Sequence, residues 1–298
     1  MRVRVIINQS AGRQLVQKSA DRVIRTLLED GTFSQAELIE TLGAGDAYQA
    51  ARYFSSFQVD LIMVVGGDGT IHEVVNGLID GEHQTPLAIF PAGTVNDFAT
   101  AAKIPSDPEE FAQMVRRFSV HQVDVGKVDD HYFFNVLAGG MLTDVAYKTP
   151  SESKMILGQM AYIINGALDL PAQLFRTIPI TIQADEQCIE DDILLFIVAN
   201  TTSVAGFRCL APQASVEDGL LDVLVVHKQG LFELLPMVMQ VGNGEHVNNN
   251  RISYFQTRSV TISSRDKANV ALDMDGENYG QLPITVSVVP GAIRLLMP

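Results

Sequence analysis

The sequence predicts an α/β amino-terminal domain built on a parallel sheet, followed by a β-rich carboxyl-terminal domain of β-sandwich type. Three observations point there. Strand-like and helix-like segments alternate over about the first 120 residues, and the apolar strands run straight into glycine- or hydroxyl-bearing loops. After about Val123 the spacing changes to that of hairpins. A chain of 298 residues has room for one large domain or two ordinary ones.

In order, Arg2–Ile7 reads as a strand, and Val16–Asp30 as a helix with Val16, Ala20, Val23, Ile24, Leu27 and Leu28 on one face. Gly31 is its stop. Ala36–Thr41 is a second strand, Asp46–Phe57 a second helix, and Leu61–Val65 a short, wholly apolar third strand. Thr70–Asp80 is a helix and Leu87–Phe90 a fourth strand. Asp107-Pro108-Glu109-Glu110 then supplies an N-cap, a proline at the first helical position and a glutamate at the third. This rhythm defines a first domain over residues 1–125.

The second domain, residues 126–283, reads as antiparallel strands: Val123–Val128, Tyr132–Ala138, Ile178–Ala184, Ile193–Ala199, Leu221–His227, Val260–Ser263 and Val270–Leu272. Helices interrupt them near Met155–Leu170 and Leu231–Val241. The stripes Met160, Ile163, Ile164, Leu168 and Leu231, Leu234, Leu235, Val238, Met239 are expected to be core rather than a lipid slot, although one exposed apolar helix would suit acyl chains. The closing segment Ile284–Leu296 either stays in this domain or returns to complete the first through residues 284–298, and the sequence leaves both open.

Composition narrows the function. The chain is 47% hydrophobic and 19% charged, with 21 basic against 35 acidic residues and a formal charge of −14. Such a field excludes a nucleic-acid partner, which needs a positive footprint. It also argues against a polybasic membrane anchor, though not against transient contact with lipid. No apolar run approaches the roughly 20 residues that span a bilayer. Met1–Ile7 is a first strand, not a signal peptide. Cys188 and Cys209 suggest neither a disulfide framework nor a thiolate metal site, so a reduced cytoplasm is expected. The six histidines, His72, His83, His121, His131, His227 and His246, show no metal-binding spacing.

The strongest motif is Gly66-Gly67-Asp68-Gly69-Thr70, between an apolar strand and a helix. Glycines let the backbone approach a ligand, and a helix start presents N–H groups to an anion. Thr70 and Glu73 have the spacing of a capping box. Asp68 beside phosphates requires an intervening cation such as Mg²⁺, which hints at a metal nucleotide. A second loop, Pro91-Ala92-Gly93-Thr94-Val95-Asn96-Asp97, follows the fourth strand. The first strand ends at Asn8-Gln9-Ser10-Ala11-Gly12 and the second at Thr41, ahead of Gly43 and Gly45. Four consecutive strands with such endings favour a nucleotide site over four ordinary turns. No GxxxxGK[ST] occurs, nor HRD or DFG, which excludes P-loop and protein-kinase mechanisms.

Gly66-Gly67-Asp68-Gly69-Thr70 with Glu73-Val74-Val75-Asn76-Gly77-Leu78, then Gly93-Thr94-Val95-Asn96-Asp97-Phe98-Ala99, then Asp275-Gly276-Glu277 resembles the diacylglycerol kinase catalytic-domain family. That family includes soluble bacterial diacylglycerol kinases, related lipid kinases and sphingosine kinases, and is distantly related to NAD kinases. The resemblance covers essentially the whole chain. It implies an ATP-dependent lipid kinase using Mg²⁺, with its active site between an α/β nucleotide domain and a β-sandwich. It places ATP against Asn8, Gln9, Ser10, Ala11, Gly12, Thr41, Gly66, Gly67, Asp68, Gly69, Thr70, Ile71, His72, Glu73, Thr94 and Asn96. It assigns Asp68, Asp97 and Asp124 to the nucleotide's Mg²⁺ or its waters, and Ser215, Asp218 and Leu220 to a further cation loop. Asp124 stands at the domain junction, a poor place for a carboxylate lacking such a partner. The resemblance also makes Glu277 the proton acceptor, with Asp275 orienting it or sharing the role. The two carboxylates, flanking Gly276, are expected to project to one cleft and perturb each other.

Two departures bear on substrate. Gln9 replaces the family's usual proline, and the glycine-rich stretch after the second domain's asparagine is thinned to Asn200-Thr201-Thr202-Ser203-Val204-Ala205-Gly206. The expected acceptor is a membrane lipid hydroxyl such as that of diacylglycerol, reached by peripheral contact from the cytoplasm. Other acceptors (a sphingoid base, another lipid alcohol, NAD) and a nucleotide-binding protein without turnover are the alternatives. Monomer and homodimer both stay open.

Overall fold

The computed structural model describes residues 1–8, 14–54, 59–141, 177–185, 187–266 and 269–298. The expected loop Gln9–Gly12, residues 55–57, and the helix Met155–Leu170 with its apolar stripe lie outside the described residues. The helix expected over Asp46–Phe57 is corrected to end at Arg52, with Tyr53 and Phe54 already out of helical geometry. By contacts the chain divides into two units, Met1–Val125 with Pro290–Pro298, and Gly126–Val289.

In the first unit, β1 (Arg2–Asn8), β2 (Gln35–Thr41), β3 (Leu61–Gly66) and β4 (Leu87–Pro91) run parallel in the order β2-β1-β3-β4. Every residue of β3 and β4 is buried, which is why both read as unbroken apolar runs. Among the described residues five helices connect or flank them: α1 (Gln14–Glu29), α2 (Asp46–Arg52), α3 (Asp68–Asp80), α4 (Asp97–Ala101) and α5 (Pro108–Arg117). Ala20, Val23, Ile24 and Leu27 of α1 are buried, whereas Leu28 is 40% exposed and leaves the expected face. The chain steps from β1 to β2 on one side and then to β3 on the other. That reversal creates a switch point between β1 and β3, the place where open α/β sheets hold ligands.

Helix starts follow local chemistry. Asp107 caps α5 by accepting from the Glu109 and Glu110 N–H groups at 2.9 and 3.1 Å, with Pro108 next. The start expected at Thr70 is corrected: α3 begins at Asp68 with Gly67 as N-cap. The Gly67 carbonyl accepts from the N–H groups of Thr70 and Ile71. Thr70 is therefore inside the helix, and no capping box with Glu73 forms.

The second unit is antiparallel. After β5 (Val120–Val128) come β6 (His131–Phe133), β7 (Val136–Gly140), β8 (Ile178–Ala184), β9 (Cys188–Ala199) and β10 (Leu221–His227). Then follow α6 (Leu231–Gln240), β11 (Ile252–Thr257), β12 (Ser259–Ser264), β13 (Ala271–Met274), β14 (Glu277–Gln281) and β15 (Ile284–Leu296). Long β9 pairs with β7, β8 and β10, and the core includes Ile182, Phe196, Val198, Val223, Ile262 and Leu272. β15 begins against β12 and ends with Leu295 parallel to Leu87 of β4. Of the expected α6 stripe, Leu234 is buried against Leu194 and Leu224, but Met239 is 76% exposed and is not core. The side chains of Leu231, Leu235 and Val238 lie outside the description. Among the described residues no helix is long and apolar enough to cross a membrane.

Candidate active site

The carboxyl ends of the parallel strands line up residue by residue. Asn8 is in register with Thr41, and Gly66 with Pro91. Asn8 Nδ2 donates to Thr70 Oγ1 at 2.8 Å, tying the end of β1 to the first turn of α3. Thr41 is buried, its hydroxyl donating to the Ile7 carbonyl at 3.4 Å. The two glycine loops touch through their backbones. The Ala92 N–H donates to the Gly66 carbonyl at 2.8 Å, and a β-carbon on Gly93 would fall 2.6 Å from Gly67 Cα. Asn96, held at φ 54°, braces the second loop by accepting from the Gly93 N–H at 2.8 Å and donating to its carbonyl at 3.0 Å. Thr94 and Gly69 are exposed beside this crossing. An α-helix whose positive end opens at Gly67-Asp68-Gly69, two of these three residues being glycine, suits an anionic ligand.

Other residues expected here have structural tasks. Ile71 is fully buried and its N–H is engaged by Gly67, so its side chain belongs to the core. His72 is half-buried, and its carbonyl accepts from Asn76 Nδ2 at 3.0 Å. The Glu73 carboxylate accepts from the N–H groups of Gly45, Ala47 and Tyr48 at 2.8, 3.1 and 3.4 Å. It caps α2 from a neighbouring helix.

Of the three aspartates assigned to Mg²⁺, two are linked directly. Asp68 Oδ2 accepts from the Asp97 N–H at 3.3 Å, so the two loops also meet through this pair. Asp97 is buried at the first position of α4, a helix the sequence reading took for loop. Asp124 is buried and accepts from the Gly291 N–H at 2.7 Å. The junction carboxylate thus has a backbone partner that the sequence reading did not supply. Among the described residues no group of three or more His, Cys, Asp or Glu is gathered as a metal cage.

In the second unit, Asp275 and Gly276 form the two-residue turn between Met274 and Glu277, at φ 52° and 91°. Both lie in the left-handed region that an Asp-Gly hairpin demands. The Asp275 carboxylate is buried and accepts from three successive N–H groups: Phe134 and Asn135 at 3.0 Å and Val136 at 2.9 Å. Those bonds replace strand pairing at 134–135, which splits the single strand expected over Tyr132–Ala138 into β6 and β7. Glu277 is exposed at the start of β14. Of the two carboxylates expected to project to one cleft, Asp275 is an anchored strut and Glu277 is open to solvent.

The Ser215–Leu220 loop is a turn in which Asp218 Oδ1 accepts from the Leu220 N–H at 3.0 Å, with Ser215 and Asp218 exposed. Its oxygen-only donors fit a hard cation. Sequence reasoning missed the cluster beneath it. Buried Asp222 accepts from the Tyr254 hydroxyl and from Gln256 Nε2, and the Tyr254 oxygen accepts from the Gln213 N–H at 3.0 Å. Burial pushes the Asp222 carboxyl up to about 6 against those hydrogen bonds, and the charge of Asp218 adds to the rise. A carboxylate in the buried strand Leu221–His227 was the available signal.

A parallel sheet with glycine loops at its switch point and an antiparallel unit carrying an acidic hairpin occur here in a chain that its relatives mark as a lipid kinase. Residues 2–128 match the diacylglycerol kinase catalytic domain, and residues 137–297 match the YegS C-terminal NAD kinase beta sandwich-like domain. The chain belongs to the diacylglycerol kinase family. It is 36% identical to a diacylglycerol kinase of Bacillus subtilis (strain 168), over the whole chain and 96% of that protein. It is 35% identical to one of Staphylococcus saprophyticus, over 95% of the chain and 90% of the relative. A solved structure from Bacillus anthracis str. Sterne, assigned to the diacylglycerol kinases, superposes with a TM-score of 0.85 at 28% identity, covering 100% of this chain and 97% of the other.

Proposed function

We propose that the protein transfers the γ-phosphoryl group of ATP to the hydroxyl of diacylglycerol or a similar membrane lipid. The backbone crossing of Gly67 and Gly93 at the β1/β3 switch point carries this reading, because it leaves a cradle lined by glycine backbone at a helix N-terminus. In that cradle Gly67, Gly69 and Thr94 approach the phosphates, while Asn8 and Asn96 fix the loops around them. Asp68 and Asp97, linked through one hydrogen bond, would hold the Mg²⁺ of the nucleotide. The bound cation would neutralise phosphate charge as the transferring group loosens. Asp124, which accepts from the Gly291 N–H, would serve the cation or its waters beside them. In the second unit Glu277 accepts the proton of the acceptor hydroxyl, and Asp275 fixes the turn that carries it. A separate cation at Ser215, Asp218 and Leu220 would be structural.

A lipid acceptor requires peripheral contact with a bilayer. The match of the second unit to an NAD kinase-like sandwich makes NAD the acceptor to be tested beside it. Purified protein, γ-labelled ATP and Mg²⁺ are incubated with diacylglycerol, a sphingoid base and NAD, and the products separated. Label in phosphatidic acid is the expected result. Label only in NADP, or in no product, would overturn the lipid reading.

A further inference from the structure

Glu277 is exposed on β14, which among the described residues pairs only with β13, at the end of its sheet path. A short, solvent-facing edge strand has little packing of its own to fix a side chain within the tolerance catalysis demands. The hairpin is instead held at two points that bracket this residue. Two positions before it, Asp275 is locked onto the amides of residues 134–136. Those residues are themselves braced: Asn200 Nδ2 donates to the Phe134 carbonyl at 2.9 Å, and Thr201 donates to Asn135 Oδ1.

Two positions after Glu277 stands Tyr279. The β13–β14 register shifts between Leu272–Gly280 and Asp273–Asn278, leaving Tyr279 as the extra residue of a β-bulge, with Gly280 at φ 139°. Bulges re-aim side chains. Here the phenol oxygen lies 2.9 Å from the Val128 carbonyl oxygen and 3.0 Å from Asp129 Oδ2, and the ring meets His131 edge-on at 5.3 Å. Asp129 sits in the turn between β5 and β6 at φ 51°. Burial and the Asp129 carboxylate push the phenol up to about 12, so it remains a hydrogen-bond donor at neutral pH.

We infer that Tyr279 is a positioning residue for Glu277, clamping β14 to the β5–β6 turn so that the carboxylate keeps its place against the acceptor hydroxyl. This rests on the reading of Glu277 as proton acceptor. The clamp from Tyr279 and the strut from Asp275 together fix the backbone on both sides of one exposed side chain. An ångström-scale drift of such a group costs on the order of 10²-fold in rate.

The test compares Tyr279→Phe, Glu277→Gln and the double variant in the full chain, measuring kcat, KM for ATP and melting temperature. Tyr279→Phe should lower kcat by about 10-fold while KM for ATP stays within about 2-fold. The double variant should be no slower than Glu277→Gln alone, because a residue that acts through another adds nothing once that other is gone. Normal kcat in Tyr279→Phe beside a slow Glu277→Gln overturns the clamp and leaves the base assignment standing. Additive losses also overturn it, since Tyr279 would then act elsewhere. Near-normal kcat in Glu277→Gln removes the base assignment itself, and the clamp with it. If Tyr279→Phe does not fold, Asp129→Ala, which leaves the phenol on the Val128 carbonyl, is put through the same cycle with the same three outcomes.

Discussion

Gly67 and Gly93 cross so closely that neither could carry a side chain without moving the other's backbone. A β-carbon on Gly93 would stand 2.6 Å from Gly67 Cα, and one on Gly67 would stand 3.0 Å from Gly93 Cα. Both obstacles are main-chain atoms, which cannot rotate away. The two loops are therefore held at one separation, and the cradle between them is set by the absence of two β-carbons.

Gly93→Ala should consequently be worse than Gly67→Ala, because its contact is the tighter one. An ångström-scale displacement of the loops predicts a loss of turnover on the order of 10²-fold, with weaker Mg·ATP binding by calorimetric titration. The melting temperature is measured alongside to show that the fold survives. Unchanged affinity in a folded Gly93→Ala protein would place the nucleotide elsewhere.

The two hairpin carboxylates should fail in different ways. Glu277→Gln keeps size and hydrogen bonding, so it should cut turnover by roughly 10²–10⁴-fold with little change in melting temperature. Asp275→Asn turns an amide NH₂ toward N–H groups that need an acceptor, and should destabilise the protein by about 1–3 kcal/mol in urea unfolding. The reverse pattern, an unstable Glu277→Gln and a stable but inactive Asp275→Asn, would exchange the two roles.

Why one residue could be read from sequence and another could not depends on how far its partners lie along the chain. The glycine loops and the Asp-Gly turn announce themselves because strand, loop and helix are contiguous, and the Asp107 cap reaches only two and three residues ahead. Glu73 was misread because its partners, Gly45 to Tyr48, belong to another helix, while Thr70 three residues away offered a local pattern. The break between β6 and β7 was invisible for the same reason: Asn135 and Asp275 are separated by 140 positions. Asp124 looked unpartnered because Gly291 lies 167 residues further on. Local patterns specified the elements and the family. Long-range hydrogen bonds decided which acidic residues are struts.

Divalent cations should stabilise the protein through the Ser215–Leu220 loop. A ligand present at 100 times its dissociation constant adds about 2.7 kcal/mol to folding, so chelation should lower the wild-type melting temperature by several degrees. Asp218→Ala removes the loop's one carboxylate among Ser215, Asp218 and Leu220 and should barely respond to chelator. Equal shifts in the two proteins would count against a cation at this loop.

Acid should loosen the second unit through His246. This imidazole is 1% exposed, and its Nε2 lies 2.9 Å from the Leu210 carbonyl, so Nε2 carries the proton and donates. Burial lowers its affinity for a second proton below the ordinary value of 6.5, against the hydrogen bonds to Leu210 and Gln240, which act the other way. The sign follows from linkage. With the folded-state value depressed, the unfolded chain binds the proton first as pH falls through 6.5. The stability His246 contributes is thus fully present above that pH and is lost as pH drops toward the folded-state value. His246→Gln preserves a donor of similar reach but cannot titrate. The variant should be less stable than wild type at pH 7.5, and the gap in melting temperature should narrow steadily toward pH 5. A gap that stays constant across this range would show that His246 holds Leu210 without coupling the fold to protons.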